Sequence, residues 1–222
     1  MGLLRTYIVF LFFAQYKKNI KDFRKKGDLV IKVFTKLNAG IIIFVGSVQW
    51  LMMLILLESF QPGYNSSLNY VSSLGVGTTS IIYNISIILF GSSLVFSSVI
   101  LYKSQNSKLF NILLLITGAF VISVGLFPEN IRPIHGYVTA FTFIFAVATA
   151  ILSYKVSKPP FSYISVALGS ITLVLMVLFF PYLGLPTEST ILFLGLAKGT
   201  IERILIYLLM FWMIGFSIYL IK

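Results

Sequence analysis

Six long apolar stretches separated by short polar links set the pattern of this chain, over residues 37–57, 80–102, 109–126, 136–154, 161–180 and 201–221. Each is close to the length a helix needs to cross about 30 Å of hydrocarbon, where every backbone amide must find its partner within the segment. The pattern predicts six transmembrane helices. Proline placement agrees with it: Pro62, Pro128, Pro133, Pro159, Pro160, Pro181 and Pro186 all lie between the stretches, where a missing N–H and a fixed φ break no helix. A further apolar run at residues 7–14 is too short to span. The basic cluster from Lys17 to Lys26 follows that run instead of preceding it, which is the reverse of a signal peptide. The expected organisation is a basic, interfacial segment over residues 1–36 and one all-α, six-helix transmembrane bundle over residues 37–222.

Polar residues inside the stretches fall into stripes. In the second stretch Asn84, Gly91 and Ser98 recur every seven residues, and in the fifth Ser162, Ser165, Gly169 and Thr172 share a face. From His135 at the start of the fourth, steps of three and four residues reach Thr139, Thr142, Ala146, Thr149 and Ser153. Small and hydroxyl-bearing residues let helices approach closely and bond across their interface, so these stripes are expected to be packing faces. No stretch has an ionisable residue near its middle, which argues against proton relays, ion-coupled transport and voltage sensing. No internal repeat points to an inverted-repeat transporter.

Composition sharpens the picture. Only 10% of the residues are charged and 58% are hydrophobic, against about 25% charged in a typical soluble domain. The net charge of +11 would suggest nucleic acid in a soluble chain, but the basic residues flank apolar spans and no recognition motif accompanies them. No nucleic-acid partner is expected. Of the 17 Lys and Arg, all but Arg132, Lys198 and Arg203 precede the first span, lie in the second and fourth links, or end the chain. Because basic residues are retained on the cytoplasmic side, a multi-pass cell-membrane protein with both termini cytoplasmic is expected. Attraction of the basic leader to anionic lipid is the alternative use of the same charges. The absence of Cys removes disulfides, thiol catalysis and thiolate metal sites, and a single His is too little for a zinc hydrolase or bis-histidine haem. Neither a metal nor another cofactor is expected. Asn65-Ser66-Ser67 is a glycosylation sequon that marks the first link as polar and exposed.

The remaining titratable groups gather near the outer ends of the spans: Glu58, Glu129, Arg132, His135, Glu188, Lys198, Glu202 and Arg203. If the outer links fold over the bundle, these groups meet in a shallow polar site. His135 is then a candidate acid or base, Glu129 or Glu202 its orienting carboxylate, and Ser72 a candidate nucleophile. Arg203 and Arg132 are candidates for binding an anionic headgroup, since a planar guanidinium suits phosphate and carboxylate. Glu202 and Arg203 are successive helix residues about 100° apart and cannot share a face.

Several short pieces, Ser72-Ser73-Leu74-Gly75, Tyr83-Asn84 with Gly91, Gly125-Leu126-Phe127-Pro128-Glu129 followed by His135, and Gly199 with Glu202-Arg203, are similar to a family of bacterial and archaeal membrane proteins called domain of unknown function 998. Members of that family often carry an acidic residue where this chain has Ser73. The resemblance covers roughly residues 40–222 and implies a six-helix fold, directing attention to Ser72, Glu129, His135, Glu202 and Arg203 while implying no activity. Two readings follow. One is a non-catalytic accessory subunit or lipid-binding scaffold, with membrane lipids and either partner membrane subunits or further copies of itself as partners. The other is an enzyme acting on a lipid headgroup or other amphiphile at the extracytoplasmic interface.

Overall fold

The structure is a computed structural model that describes residues 35–104, 107–182, 185–186 and 189–222. Residues 1–34 of the basic leader, the short apolar run within it and Glu188 therefore lie outside the described residues. Among the described residues there are six long helices: α1 (Lys36–Phe60), α2 (Ser80–Ser104), α3 (Lys108–Leu126), α4 (Ile134–Leu152), α5 (Phe161–Phe179) and α6 (Lys198–Ile221). All six are long and apolar enough to cross a membrane, as the hydrophobic pattern predicts.

Local chemistry sets their ends. The hydroxyl of Thr35 accepts the Asn38 N–H and caps α1, which stops before Pro62 and the left-handed Gly63 (φ 69°). Pro133 and Pro160 immediately precede α4 and α5, and Pro181 follows α5, which closes in a single 3-10 turn, Phe180–Tyr182. At α6 the structure differs from the pattern: the helix begins at Lys198, three residues before the predicted apolar stretch. Lys198 is buried there because its ammonium donates to the carbonyls of Pro186 (2.7 Å) and Ser189 (2.9 Å), so its charge does not need the open link.

The helices pack as a closed ring in chain order, with α6 returning to lie against both α5 and α1. Successive helices run in opposite directions. Ser97 near the end of α2 donates to the Ala39 carbonyl at the start of α1, and Phe161 at the start of α5 stacks on Tyr219 near the end of α6. The start of α1 and the end of α6 thus share one end of the bundle, where any Cβ on Gly40 would lie 2.8 Å from the Ser217 carbonyl. At the other end lie the links joining α1 to α2, α3 to α4 and α5 to α6, here called the loop end. Helix association in lipid depends on close packing more than on apolar burial. The α2–α3 contact illustrates this, since Cβ atoms on Gly91 and Gly118 would each stand 2.8 Å from the other's carbonyl.

Two small elements complete the loop end. The first link carries a buried 3-10 helix, Val71–Gly75. The last carries an antiparallel hairpin of β1 (Leu192–Phe193) and β2 (Leu196–Ala197), turned by Leu194 and Gly195, both left-handed. Two-residue strands have no period to read, so the hydrophobic pattern does not predict them.

Candidate functional site

The 3-10 helix Val71–Gly75 is the hub of the loop end, because two carboxyl groups from different elements hold it. Glu202, from the second turn of α6, accepts the Val71 N–H at 2.6 Å and so satisfies a donor at the start of a helix that no side chain of its own caps. Glu129, from the link before α4, accepts the Ser73 hydroxyl at 2.6 Å and the Ser72 hydroxyl at 3.4 Å through one oxygen. Its other oxygen pairs with Arg132 at 2.8 Å. Arg132 reaches on to the Leu185 carbonyl at 3.2 Å and remains substantially exposed, whereas Glu129 and Glu202 are buried.

His135 stands in the first turn of α4. Its Nδ1 lies 2.7 Å from the Phe127 carbonyl, which can only accept, so that nitrogen carries a proton. In the neutral ring Nε2 then has a free lone pair, and the Thr139 hydroxyl one turn on, 3.3 Å away, can donate to it.

These side chains wall a cavity of about 540 Å³ lined by Tyr70, Ser72, Glu129, Arg132, Pro133, His135, Gly136, Tyr137, Thr139, Ala140, Phe179 and Glu202. Arg132, Gly136 and Tyr137 are its exposed rim, and Ser72, Glu129, His135 and Glu202 its buried floor. Below it a narrow slot of about 90 Å³ runs into the centre of the ring, lined by residues of α1, α2, α3, α4 and α6 that include Trp50, Phe90, Val121, Ala146 and Trp212. Ser72, Thr139 and Glu202 line both. On the other side of the Glu129–Arg132 pair lies an open groove of about 410 Å³ beside Gln61, Tyr64, Asn69 and Asn130.

Arg203 is placed elsewhere, as the 100° rotation from Glu202 requires. It forms an ion pair with Glu58 at the end of α1, with Nε at 3.1 Å and one terminal nitrogen at 3.0 Å from the same oxygen. The other terminal nitrogen donates to the carbonyls of Ser66, Asn69 (3.3 Å) and Gly199 (3.1 Å), while the one that pairs with Glu58 also donates to the Tyr64 hydroxyl. Tyr64 passes its own proton to the Tyr70 carbonyl at 3.0 Å, and Tyr70 donates to the Tyr182 carbonyl at 2.5 Å. Burial pushes both phenols above their usual value, so both remain protonated donors at neutral pH.

The structure thus brings Ser72, Glu129, Arg132, His135 and Glu202 to one cavity and sends Arg203 to the α1 side. Thr139 and Thr142, read as packing residues, line the slot, while Thr149 and Ser153 farther along the stripe contact α3 and α6 through Thr117 (3.0 Å) and Trp212 (3.2 Å). Asn84 donates to the Gly75 carbonyl at 3.2 Å and Gly91 faces α3. Among the described residues no three His, Cys, Asp or Glu side chains converge to hold a metal ion.

The profile of a family described as a protein of unknown function, DUF998, matches residues 44–219. The chain belongs to the DUF998 family. No curated protein and no solved structure matches it. The matched region of this DUF998 protein contains both cavities and every side chain of the site.

Sequence reasoning passed over several residues that complete the arrangement. Ser73 makes the shorter of the two hydroxyl bonds to Glu129, and Tyr70 and Phe179 supply ring faces to the cavity. Gly199 lets the first link lie on the start of α6, since a Cβ there would meet the Ser66 and Ser67 carbonyls at 2.8 and 2.7 Å. The one signal for it was its place before Glu202-Arg203. Tyr70 had none, because a tyrosine in a polar link looks like any exposed residue.

Proposed function

We propose that this DUF998 protein is a lipid-binding membrane protein, a scaffold or accessory subunit that holds one amphiphile with its polar head in the outer cavity and part of its tail in the slot. The reading rests on one observation: a cavity at the bundle end, largely apolar but with carboxyl, imidazole and hydroxyl groups on its floor, adjoins a more strictly apolar slot across the shared residues Ser72, Thr139 and Glu202. An amphiphile has the same division into a polar and an apolar part, and a slot this narrow suits a chain better than a ring system. Polar groups lining the head site fix its orientation while apolar contacts supply most of the affinity.

The loop end faces the extracytoplasmic side in this reading. Its support is the distribution of Lys and Arg, which leaves Arg132, Lys198 and Arg203 as the basic residues of that end. Because the chain has no cysteine, a single Asn130→Cys replacement gives a clean probe at an exposed position. Labelling of intact cells by a membrane-impermeant maleimide supports this orientation, and labelling only after permeabilisation overturns it.

The lipid-binding reading is tested by native mass spectrometry of the purified protein. Wild type is expected to retain one lipid-sized adduct at detergent concentrations that strip annular lipid. Ala146→Leu, which fills the slot, is expected to lose the adduct while staying folded. Retention of the adduct by the filled variant would remove the slot from the proposal.

One observation favours a second, hydrolytic reading: the Phe127 carbonyl holds Nδ1–H and leaves Nε2 of His135, a residue of the cavity wall, as an acceptor with the Thr139 hydroxyl 3.3 Å away. In that reading Nε2 takes a proton from water as the hydroxide forms a bond to an ester carbonyl carbon, and returns it to the departing alkoxide. Incubation with total membrane lipid distinguishes the two: unchanged headgroup and acyl species favour the scaffold, and a product that disappears with His135→Ala favours the enzyme.

A further inference from the structure

The balance of donors, acceptors and charge in the outer cavity restricts the kind of headgroup it takes. Its buried floor presents acceptors: a carboxyl oxygen of Glu202, Nε2 of His135 with the Thr139 hydroxyl 3.3 Å away, and the hydroxyl oxygens of Ser72 and Thr139, while both oxygens of Glu129 are taken by Arg132, Ser72 and Ser73. Glu202 uses one carboxyl oxygen on the Val71 N–H, and no bond to its other oxygen is found among the described residues. Of the residues lining the cavity, Arg132 is the one fixed cation, and Glu129 already balances its charge at 2.8 Å.

The other basic groups of the loop end are already engaged, with the Lys198 ammonium also lying 5.1 Å from the centroid of the Tyr70 ring. Arg203 is engaged by Glu58, Tyr64 and three backbone carbonyls, and the Lys198 ammonium by the carbonyls of Pro186 and Ser189. A phosphate in this cavity would lose its hydration, face two carboxyl groups and find no uncommitted cation, whereas phosphate sites ordinarily present a guanidinium fork or a cluster of N–H groups. A headgroup carrying several hydroxyls has the opposite character. Each O–H can donate to a carboxyl oxygen or to Nε2, and no net charge has to be buried. Tyr137 on the rim, with Pro133, Gly136 and Ala140, adds apolar wall against which the C–H side of a sugar can lie.

We infer that the cavity selects an uncharged, hydroxyl-rich headgroup, that of a glycosyl or polyol lipid, over a phosphate-bearing one. This inference rests on the lipid-binding reading above. It makes Glu202 and Ser72 determinants of headgroup choice and leaves recognition of the tail to the slot.

The two tryptophans provide the readout, since Trp50 and Trp212 both line the slot and both are buried away from the bundle surface. The intact protein is titrated in detergent with lipids whose acyl chains are brominated, so that quenching of tryptophan emission reports a tail in the slot. Three lipids with the same tails are compared: a monoglucosyl diacylglycerol, a phosphatidylglycerol, and an analogue with a trimethylammonium head. The glucosyl lipid is expected to reach half-quenching at about tenfold lower mole fraction than the phosphatidylglycerol, the value of one or two charge-assisted hydrogen bonds. Glu202→Gln is expected to shrink that ratio severalfold by weakening the response to the glucosyl lipid and strengthening that to phosphatidylglycerol, and Ser72→Ala to shrink it by weakening the response to the glucosyl lipid.

Equal or stronger quenching by phosphatidylglycerol overturns the headgroup inference and leaves lipid binding standing. Preference for the trimethylammonium head overturns it in favour of a cation site. Absence of quenching by all three overturns the lipid-binding reading, and the inference with it. Should Glu202→Gln fail to fold, as an altered emission maximum without lipid would reveal, the Ser72→Ala ratio decides.

Discussion

Glu58 with Arg203, on the α1 side of the loop end, and Glu129 with His135 and Glu202, on the α4 side, are built from similar groups at one end of the bundle. They are wired differently. Every nitrogen of the Arg203 guanidinium donates to protein acceptors, and the groups it joins come from α1, the first link and α6. On the α4 side, Glu202 has one oxygen engaged, His135 presents Nε2, and a cavity of about 540 Å³ lies against both. The difference teaches how to tell a clamp from a site among ionisable groups at a membrane boundary. A guanidinium with every nitrogen engaged holds the fold together and has no donor left for a ligand, whereas a carboxyl oxygen without a bond beside a cavity, as in Glu202, has capacity for one.

Removing the clamp is the most direct way to break this contrast. Arg203→Ala should cost about 3–5 kcal/mol, because it leaves Glu58, the Tyr64 hydroxyl and three carbonyls without their donor. Denaturant unfolding in detergent measures this, and Arg203→Lys should recover less than half, since one ammonium cannot replace a fork. A stable Arg203→Ala variant with impaired lipid retention would instead place Arg203 in the binding machinery. Gly199→Ala probes the same region through sterics: its methyl would press on the Ser66 and Ser67 carbonyls, at an expected cost of about 1–3 kcal/mol in the same assay.

On the α4 side the expected stability effects are smaller and the functional ones larger. His135→Ala removes the bond to the Phe127 carbonyl and should cost about 1 kcal/mol. If the protein hydrolyses its lipid, the same change should lower turnover by about 10²-fold or more, which a lipid-product assay would detect. Glu202→Gln should change stability least, by less than about 1 kcal/mol, because the amide oxygen can still accept the Val71 N–H. Unfolding midpoints for Glu202→Gln and Arg203→Ala that coincide would erase the distinction between the two regions.

Legibility in the sequence follows the range of the forces involved. The six spans were readable because a bilayer imposes a length of apolar chain on each crossing, and the helix bounds departed from the pattern by three residues at the end of α1 and at the start of α6, where two carbonyls stabilise Lys198. The list of outer titratable groups could be drawn up, and His135 with its stripe could be seen, because helical spacing is a local property. Divergence of Glu202 and Arg203 was also readable, from the rotation between neighbours alone.

Other features were not local. The bond from Val71 to Glu202 joins residues 131 apart in the chain, and the pair of Arg203 with Glu58 joins residues 145 apart. Nothing in the spacing of either segment announces the other. The sequence by itself determined that this chain carries six stretches long and apolar enough to cross a membrane and which residues lie near their ends, because solvent polarity acts on each segment separately. Only the closing of the helix ring decided which of those residues became a clamp and which came to face a cavity, because hydrogen-bond saturation depends on neighbours brought together by the fold.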